Sequence, residues 1–291
     1  MSTPTTVSGF TADVENERTA QFWFDLVPRV LQVQEVTRLA ARMVRVRFTG
    51  EDLHGFPTVA PEDHLKLFFD RAPDGSPNVP VLDADGRWNP GAHVHRDYTV
   101  RAFDPAGPHL DVDFVLHDHG IAGRWAGTAR PGDRLAALGP RGAFLVKDVA
   151  DWYVLAADET ALPALARWVE GLRPGVPVTA FVEVTDAGDE IPLASAADLD
   201  VHWLHRGQDP AGTTTLLVDA LRSADLPAGT GYVWVAGEAL SVKPARRYLA
   251  RELGLDRDSY DVDGYWRRGT RNHDHHEDDH EDDHEDHESG E

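Results

Sequence analysis

Two short segments of the sequence carry the residue types best suited to hold a phosphorylated, electron-carrying ligand. The first is the run Arg96-Asp-Tyr-Thr, in which the fork of an arginine side chain suits a phosphate group. The second is the small-residue stretch 120–123, which opens a predicted helix whose free amides and dipole suit a pyrophosphate. An arginine and a Tyr-Thr pair on one strand, followed by such a turn, predict a flavin dinucleotide site that lacks a GxGxxG motif.

The elements that must position these segments have the period of an antiparallel β-structure. Short runs of alternating apolar and polar residues are separated by Gly, Pro and Asp turns, which predicts a six-stranded antiparallel barrel. We expect a short helix over residues 14–26 and a long excursion over residues 71–95 that could fold over a ligand. The predicted strands are residues 29–36, 43–48, 64–69, 98–103, 110–116 and 133–138.

From residue 152 the pattern changes to apolar strands that alternate with helices. This is typical of a parallel sheet covered on both faces, with its ligand crevice at the carboxyl ends of the strands. The predicted strands are residues 152–157, 178–184, 201–204 and 232–236, and the predicted helices are 161–172, 216–222 and 242–253. We therefore predict an extension (1–27), a flavin-binding barrel (28–149), a Rossmann-like nucleotide-binding α/β domain (150–269) and a tail (270–291).

Polar residues follow three of these parallel strands. Asp158 and Thr160 lie where the first strand meets its helix, either to contact a nicotinamide or flavin or only to cap the helix. Arg206 follows the third strand and could meet the 2′-phosphate of NADPH. Gly237 and Glu238 end the fourth strand. The alternative phosphate contacts, or simply a solvated helix face, are Lys243, Arg246 and Arg247.

Composition narrows the chemistry. The chain has 291 residues and no cysteine, which excludes disulfides, thiolate nucleophiles and cysteine-ligated iron–sulfur clusters, so redox chemistry requires an organic cofactor. A formal net charge of -22 disfavours nucleic acids as partners. No apolar run approaches the roughly 18 residues of a membrane span, and the start has no signal-peptide pattern. We expect a cytoplasmic monomer without a membrane partner.

The segment 270–291 is rich in His, Asp and Glu and has no apolar residue to bury, so we expect it to be disordered. Imidazoles interleaved with carboxylates suit Ni, Zn, Cu or Fe ions, and a solubilising acidic tail is the competing interpretation. The candidate metal ligands are His273, His275, His276, His280, His284 and His287.

Eight motifs occur in an order that makes a family resemblance specific. They are residues 96–101 (RDYTVR), 113–117 (DFVLH), 123–126 (GRWA), 131–133 (PGD), 139–142 (GPRG), 158–163 (DETALP), 233–238 (VWVAGE) and 264–269 (GYWRRG). From about residue 28 to 269, the chain resembles the siderophore-interacting proteins, flavin-dependent ferric-siderophore reductases of the ferredoxin-reductase superfamily. It departs from their usual loop at Asp118 and Ile121.

The resemblance implies FAD as cofactor and NADPH or NADH as donor. Arg96 would pair with a flavin phosphate, Tyr98 would lie against the flavin, and Thr99 would face its N5 edge. His117 could face the adenine or ribose, or be a structural hydrogen-bonding residue. The candidate cofactor-binding residues are Arg96, Asp97, Tyr98, Thr99, Val115, His117, Gly120, Ile121, Ala122, Gly123, Trp125, Asp158, Thr160, Ala161, Arg206, Gly237 and Glu238.

The activity that this resemblance implies is electron transfer from NAD(P)H through FAD to an Fe(III)-siderophore, which releases Fe(II) for iron acquisition. The flavin carries the chemistry, so no catalytic side chain is expected. The substrate is either an anionic catecholate held by a basic cluster or a neutral hydroxamate, and a ferredoxin could replace the nicotinamide donor. Candidate substrate-binding residues are Lys66, Arg124, Arg130, Arg267 and Arg268.

Two other classes of function stay open on the sequence. A ferredoxin- or flavodoxin-NADP reductase, or a flavin reductase, would share the two-domain architecture. Such enzymes usually have a Gly-x-Gly-x-x-Pro turn where this chain has residues 157–163, and a Cys-Gly pair where it has Ala236-Gly237. The third possibility is a non-catalytic metal-binding protein that works through its His-rich tail.

Overall fold

The computed structural model describes residues 5–117 and 120–273, which divide into two compact units. Unit 1 comprises Met1–Val149, Ala166–Gly171 and Ile191–Ala194, and unit 2 comprises Ala150–Leu165, Leu172–Glu190 and Ser195–Glu291. The strands are β1 (Thr6–Val7), β2 (Phe10–Thr11), β3 (Val14–Glu15), β4 (Thr19–Trp23), β5 (Pro28–Ala40), β6 (Met43–Thr49), β7 (His64–Phe68), β8 (His95–Thr99), β9 (Ala102–Asp104), β10 (His109–Val115), β11 (Arg134–Leu138), β12 (Gly142–Val146), β13 (Trp152–Asp158), β14 (Pro177–Val184), β15 (Asp198–His205), β16 (Gly231–Glu238) and β17 (Tyr260–Trp266). The α-helices are α1 (Ile121–Ala126), α2 (Leu162–Gly171), α3 (Leu216–Ser223) and α4 (Ala239–Arg247).

The main sheet of unit 1 is antiparallel, with the described strands in the order β8-β7-β11-β5-β6-β10-β9. It has seven strands instead of six because residues 98–103 change pairing partner. β8 pairs with β7, β9 pairs with β10, and between them the Val100 amide donates to the Asp63 carbonyl at 2.8 Å. β8 and β9 are consecutive in the chain yet lie at opposite edges of the sheet, as in a sheet that closes on itself. The predicted barrel is confirmed, with one strand divided in two.

β6 and β10 show why these runs become strands. Successive side chains point to opposite faces, so Val46 is fully buried in the core while its neighbours point away from it. Those neighbours, Arg45 and Arg47, lie directly opposite Asp113 and Asp111 in the strand register. Each forms a two-point ion pair, with Nε to Oδ1 distances of 2.7 and 2.8 Å. Core packing and cross-strand charge pairs therefore specify the same register.

The predicted excursion 71–95 packs against the barrel. Phe68, Ala136 and Leu138 form a small buried cluster on the face of β7 and β11 opposite to the main core. The indole of Trp88, from the excursion, meets the Phe68 ring edge-on with ring centroids 5.3 Å apart. This contact holds the excursion against β7; that it covers a ligand stays a prediction.

The helix expected over residues 14–26 is wrong. This segment forms β3 and β4, and β4 pairs antiparallel with β12 in a three-stranded sheet. The aromatic run alternates: Phe22 is fully buried, whereas Trp23 is 58% exposed. A period of two residues fits a strand with one buried face, and this tertiary pairing outweighs any local helical tendency.

Unit 2 contains a five-stranded sheet in the order β15-β14-β13-β16-β17, with every neighbouring pair parallel. The predicted parallel sheet is confirmed, and β17 is an added edge strand that the sequence pattern did not reveal. α3 and α4 pack on the sheet through buried apolar side chains that include Leu221 and Val242. The helix predicted to reach residue 253 changes to a π-helical turn at Tyr248–Glu252. None of the described helices is both long and apolar enough to cross a membrane.

The start of β16 leaves no room for a side chain. A Cβ added to Gly231 would lie 2.1 Å from Cζ2 of Trp152, which is buried beside it on β13. We expect Gly231→Ala to destabilise the protein by about 2 kcal/mol or more, as overpacked cores do, which should lower the thermal unfolding midpoint by about 4–8 °C. Gly171→Ala is the matched control, because open space surrounds that helical position. Equal midpoints for the two variants would contradict this packing account.

Candidate functional site

β8 carries the predicted flavin-binding run on an edge of the unit 1 sheet. Arg96 and Tyr98 are partly exposed, while Thr99 is buried and pairs with His64 of β7. An edge strand leaves one side of this run without a strand neighbour. The four residues Arg96, Asp97, Tyr98 and Thr99 are therefore held in a fixed register on one side only.

One core residue joins this run to α1. The Phe114 ring on β10 lies 4.3 Å from the Tyr98 ring and 5.6 Å from the Trp125 ring of α1, measured between centroids. Trp125 also stacks on Phe48 at 6.1 Å and an interplanar angle of 9°, so its ring supports α1 from the barrel core. Burial raises the pKa of the Tyr98 hydroxyl, so this group stays neutral. The two segments predicted from the sequence thus lie together in unit 1.

The guanidinium of Arg96 is available to an anion. It donates to the carbonyl of His95, and among the described residues no carboxylate pairs with it. Lys66, the predicted substrate contact on the neighbouring strand, is instead held by both oxygens of Asp97 at 2.9 and 2.8 Å. A partly exposed guanidinium with remaining N–H groups is the donor that a flavin phosphate requires.

α1 begins as predicted, at the glycine-containing turn. Gly120 adopts a φ of 84°, which favours glycine, and no side chain caps the helix among the described residues. A Cβ at Gly120 or Gly123 would lie 3.1 Å from the imidazole of His117. The glycines therefore accommodate this imidazole against the first turn of the helix. The nucleotide contact of His117 stays a prediction, and Asp118 lies outside the described residues.

The other predicted residues of unit 1 fall into two groups. Val115 ends β10, and Ile121 and Ala122 dock α1 on the barrel core. Arg124 and Arg130 are exposed, on α1 and in the loop before β11. With Lys66 neutralised by Asp97, these two arginines are the candidate substrate contacts of unit 1 that remain unpaired with any described carboxylate.

The end of β8 is anchored by a segment that belongs to the same unit, Ala166–Gly171. Arg167 donates from Nη1 to the carbonyl of Val100 at 2.9 Å and from Nη2 to Thr58 Oγ1 at 2.9 Å. Arg101 forms a two-point pair with Glu170. These contacts restrain the backbone directly after Thr99, and the sequence motifs did not reveal them.

In unit 2, Asp158 stands at the carboxyl end of β13 and is 6% exposed. Its Oδ1 accepts from the amide and hydroxyl of Thr160 at 2.8 and 2.6 Å, and its Oδ2 accepts from Trp266 Nε1 at 2.7 Å. Ala161 is the buried N-cap position of α2. Asp158 thus orders the turn between β13 and α2 through Thr160. The capping interpretation is wrong in its detail, because no described side chain caps α2 at Ala161.

Glu238 ends β16 and orders a second turn at the same edge. Its Oε2 accepts from the Ser241 amide at 2.8 Å, and its Oε1 accepts from the Arg268 amide at 2.9 Å. A Cβ at Gly237 would lie 2.9 Å from Asp158 Oδ2, so glycine is needed for the close approach of β13 and β16. Arg267 is partly exposed and Arg268 exposed, immediately after β17.

Arg206 is not free for a 2′-phosphate. Its two Nη atoms bind both carboxylate oxygens of Glu159, its Nη2 also donates to Thr185 Oγ1 at 2.9 Å, and Glu183 Oε1 lies 3.8 Å from its Nη1. These contacts disfavour the predicted binding of the 2′-phosphate of NADPH by Arg206. Glu183 was missed, although a carboxylate near the end of the second parallel strand is a known signal for nucleotide binding.

This edge of the unit 2 sheet concentrates carboxyl groups. Burial raises the pKa of Asp158, and burial together with the Asp158 charge raises the pKa of both Glu159 and Glu183. Glu183 Oε2 accepts from Thr214 Oγ1 at 2.7 Å. Within the described part of the chain, no three His, Asp or Glu side chains are arranged to hold a metal ion. The edge is therefore an acidic cluster that, within the described residues, lacks metal-site geometry.

Most of the metal ligands predicted in the tail lie outside the described residues. His273 is described and partly exposed, whereas His275, His276, His280, His284 and His287 lie outside the described residues. Metal binding by this segment stays a prediction.

Comparisons with known proteins identify the family. A model of the siderophore-interacting FAD-binding domain matches residues 32–144, and a model of the siderophore-interacting protein matches residues 150–269. Ferric vibriobactin reductase ViuB of Vibrio cholerae is 33% identical over 254 residues, which cover 86% of this chain and 93% of the relative. The chain belongs to the siderophore-interacting protein family.

Two further relatives support this membership. The NADPH-dependent ferric-chelate reductase of Escherichia coli is 34% identical over 83% of this chain and 94% of its own. The crystal structure of a siderophore utilization protein from T. fusca superposes with a TM-score of 0.83, at 46% identity, over 89% of this chain and 99% of that one. The matched FAD-binding domain contains β8, β10 and α1. Among the described residues, no carboxylate pairs with Arg96 and no side chain caps α1, which is compatible with a phosphate ligand such as FAD.

Arg96 gives a direct test of that fit. We expect Arg96→Ala to weaken FAD binding by about 10- to 100-fold, the loss of one charge-assisted hydrogen-bonding group, while the protein stays folded. Titration of apoprotein with FAD, followed by quenching of flavin fluorescence, measures this. Arg38→Ala, an exposed arginine of the same unit, should bind FAD like the wild type. An Arg96→Ala protein that retains stoichiometric FAD would refute the assignment.

Glu183 gives a test of the carboxyl cluster. Because its pKa is raised on folding, its contribution to stability is fully present below about pH 4.3 and is lost as the pH rises through the folded pKa. Glu183→Gln keeps an acceptor for Thr214 and removes the charge. We expect it to raise the unfolding midpoint by about 2–4 °C at pH 8, with the gain shrinking toward acid pH.

Differential scanning calorimetry at pH 5 and pH 8 measures this difference. Asp209→Asn, an exposed carboxyl after β15, should shift the midpoint little at either pH. A Glu183→Gln protein that is less stable than the wild type at both pH values would show that Glu183 stabilises the fold as an anion.

Proposed function

We propose that this siderophore-interacting protein is a cytoplasmic ferric-siderophore reductase that binds FAD in unit 1 and takes electrons from NADH or NADPH. The observation that carries the proposal is the uncommitted Arg96 guanidinium on β8, joined to the uncapped α1 through Phe114, within a matched siderophore-interacting FAD-binding domain. Relatives named as ferric vibriobactin and ferric-chelate reductases support the substrate class.

The protein residues bind and orient, and none needs to act as a nucleophile. When bound, FAD would supply the capacity to accept a hydride, which suits a nicotinamide donor. It would also supply the capacity to release the two electrons one at a time, which suits ferric iron. One molecule of NADH or NADPH therefore reduces two ferric ions. Arg96 and the first amides of α1 bind phosphates, the neutral Tyr98 offers an aromatic surface, and Thr99 is held in register by β7.

In unit 2, Asp158 and Glu238 shape the edge at which a nicotinamide nucleotide would bind. Both carboxylates accept hydrogen bonds from backbone or indole donors, so they fix turns. Thr160 stays a candidate contact through its position at the start of α2. A ferredoxin is the alternative donor to the nicotinamide nucleotide, and we expect the protein to be a monomer.

The protein has few cations that could attract an anionic substrate. Lys66 is neutralised by Asp97, which leaves Arg124 and Arg130 exposed in unit 1. With a net charge of -22 for the whole chain, long-range attraction of a highly anionic chelate is weak. Neutral hydroxamate chelates and anionic catecholates should both be tested as substrates.

Anaerobic stopped-flow absorbance tests the function. FAD-loaded protein is reduced with NADH or NADPH and then mixed with ferric hydroxamate or catecholate chelates in the presence of a ferrous-iron trap. We expect reoxidation of the flavin with two trapped ferrous ions for each flavin. Reduced flavin that ignores every ferric chelate would contradict the proposal and favour a ferredoxin, flavodoxin or flavin reductase.

Truncation after Gly269 separates the reductase from the metal-binding alternative. A truncated protein that keeps its reductase rate and loses binding of Ni²⁺, Zn²⁺ or Cu²⁺ would make the tail an accessory metal-binding segment. Loss of ferric reduction on truncation would contradict a reductase that works through residues 1–269 alone.

A further inference from the structure

Arg206 lies where a cation could recognise the adenosine end of a dinucleotide. It follows β15 directly, at the carboxyl edge of the parallel sheet. NADH and NADPH differ only in the 2′-phosphate of the adenosine ribose. In nucleotide-binding folds of this kind, a carboxylate suits the free hydroxyl groups of NADH, and an arginine suits the added phosphate of NADPH. The groups that bind Arg206 therefore decide whether this edge of the sheet favours NADH or NADPH.

Glu159 holds it. The pair is bidentate, and the two side chains are only 7% and 14% exposed. Thr185 Oγ1 accepts a further hydrogen bond from Nη2, and Glu183 Oε1 lies 3.8 Å from Nη1. These contacts occupy the fork that a phosphate would use.

The surrounding charge also opposes a phosphate. The carboxyl groups of Asp158, Glu159 and Glu183 all act on this single guanidinium. A 2′-phosphate would enter a partly buried region that already contains more acidic groups than basic ones, and it would have to displace Glu159 from Arg206. Leaving a buried carboxylate without its cation is unfavourable, so the phosphate gains little from this exchange.

We propose that the Glu159–Arg206 pair is a specificity determinant that excludes the 2′-phosphate and makes NADH the better electron donor. This inference rests on the proposed function, because it concerns which nicotinamide nucleotide reduces the enzyme. Lys243 and Arg247 are the exposed cations of α4, the helix that follows β16. In the sheet order, β16 lies on one side of β13, whereas β14 and β15 lie on the other. Arg246, between Lys243 and Arg247 in the chain, donates to the carbonyl of Val262 at 2.7 Å.

Isothermal titration of the FAD-loaded full chain with two mononucleotides tests the pair without relying on turnover. The probes are 5′-AMP and adenosine 2′,5′-bisphosphate, which differ by the 2′-phosphate alone. We expect the wild type to bind the bisphosphate no more tightly than 5′-AMP. Glu159→Gln keeps the size of the side chain and releases Arg206, so it should tighten the bisphosphate by about tenfold and change 5′-AMP by less than about twofold.

Glu190→Gln is the matched control. It removes a carboxylate that pairs with His205 at 2.8 Å, beside Arg206 in the chain, and leaves the Glu159–Arg206 pair intact. We expect it to leave the ratio of the two affinities within about twofold of the wild type. The same effect in both variants would show that overall charge, and not the release of Arg206, sets the preference, which would overturn the inference.

Kinetics complete the test. The wild type should have a kcat/KM for NADH at least about tenfold above that for NADPH, and Glu159→Gln should narrow that ratio. A wild type that prefers the bisphosphate or NADPH tenfold, or that binds neither mononucleotide, would overturn the inference even if Glu159→Gln is unstable. If neither NADH nor NADPH reduces the flavin while 5′-AMP still binds better than the bisphosphate, the proposed function fails and the exclusion of the 2′-phosphate stands.

Discussion

The packing of Phe114 is the contact on which the flavin half of the molecule depends. Phe114 on β10 lies in the barrel core, where its ring packs against Tyr98 on the edge strand β8. The same ring supports Trp125, so the short helix α1, which is too short to be stable alone, has its position set by the barrel core. One core side chain thus positions both segments that are proposed to bind the flavin nucleotide.

Electrostatics distinguish the two units. In unit 1, Asp97 pairs with Lys66, whereas Arg96 on the neighbouring strand pairs with no described carboxylate. In unit 2, the carboxyl edge of the sheet has an excess of acidic groups around Arg206. The first arrangement suits an anionic ligand, whereas the second suits a ligand that brings hydroxyl groups. Each unit therefore has its own requirement for the charge of its ligand.

Sequence periodicity predicted most strands because their buried faces repeat every two residues or form continuous apolar runs. It missed β17, whose residues mix aspartate and glycine with aromatics, and it assigned a helix to the Phe22-Trp23 region because the partner strand β12 lies more than a hundred residues away. The Arg96 run was recognisable from local chemistry. The Glu159–Arg206 pair was not, since its members are 47 residues apart and only the parallel sheet brings them together.

The ion pairs between β6 and β10 have a consequence for how the barrel assembles. If β10 slipped by two residues, Asp113 would face Arg47, and Asp111 would face Thr49, leaving a carboxylate in a buried position without a cation. A slip of β10 by one residue would turn Asp111 and Asp113 toward the core. Misaligned pairings of β6 and β10 are therefore penalised by charge as well as by lost packing. The pairs Arg45–Asp113 and Arg47–Asp111 thus select one register for two strands that are distant in the chain.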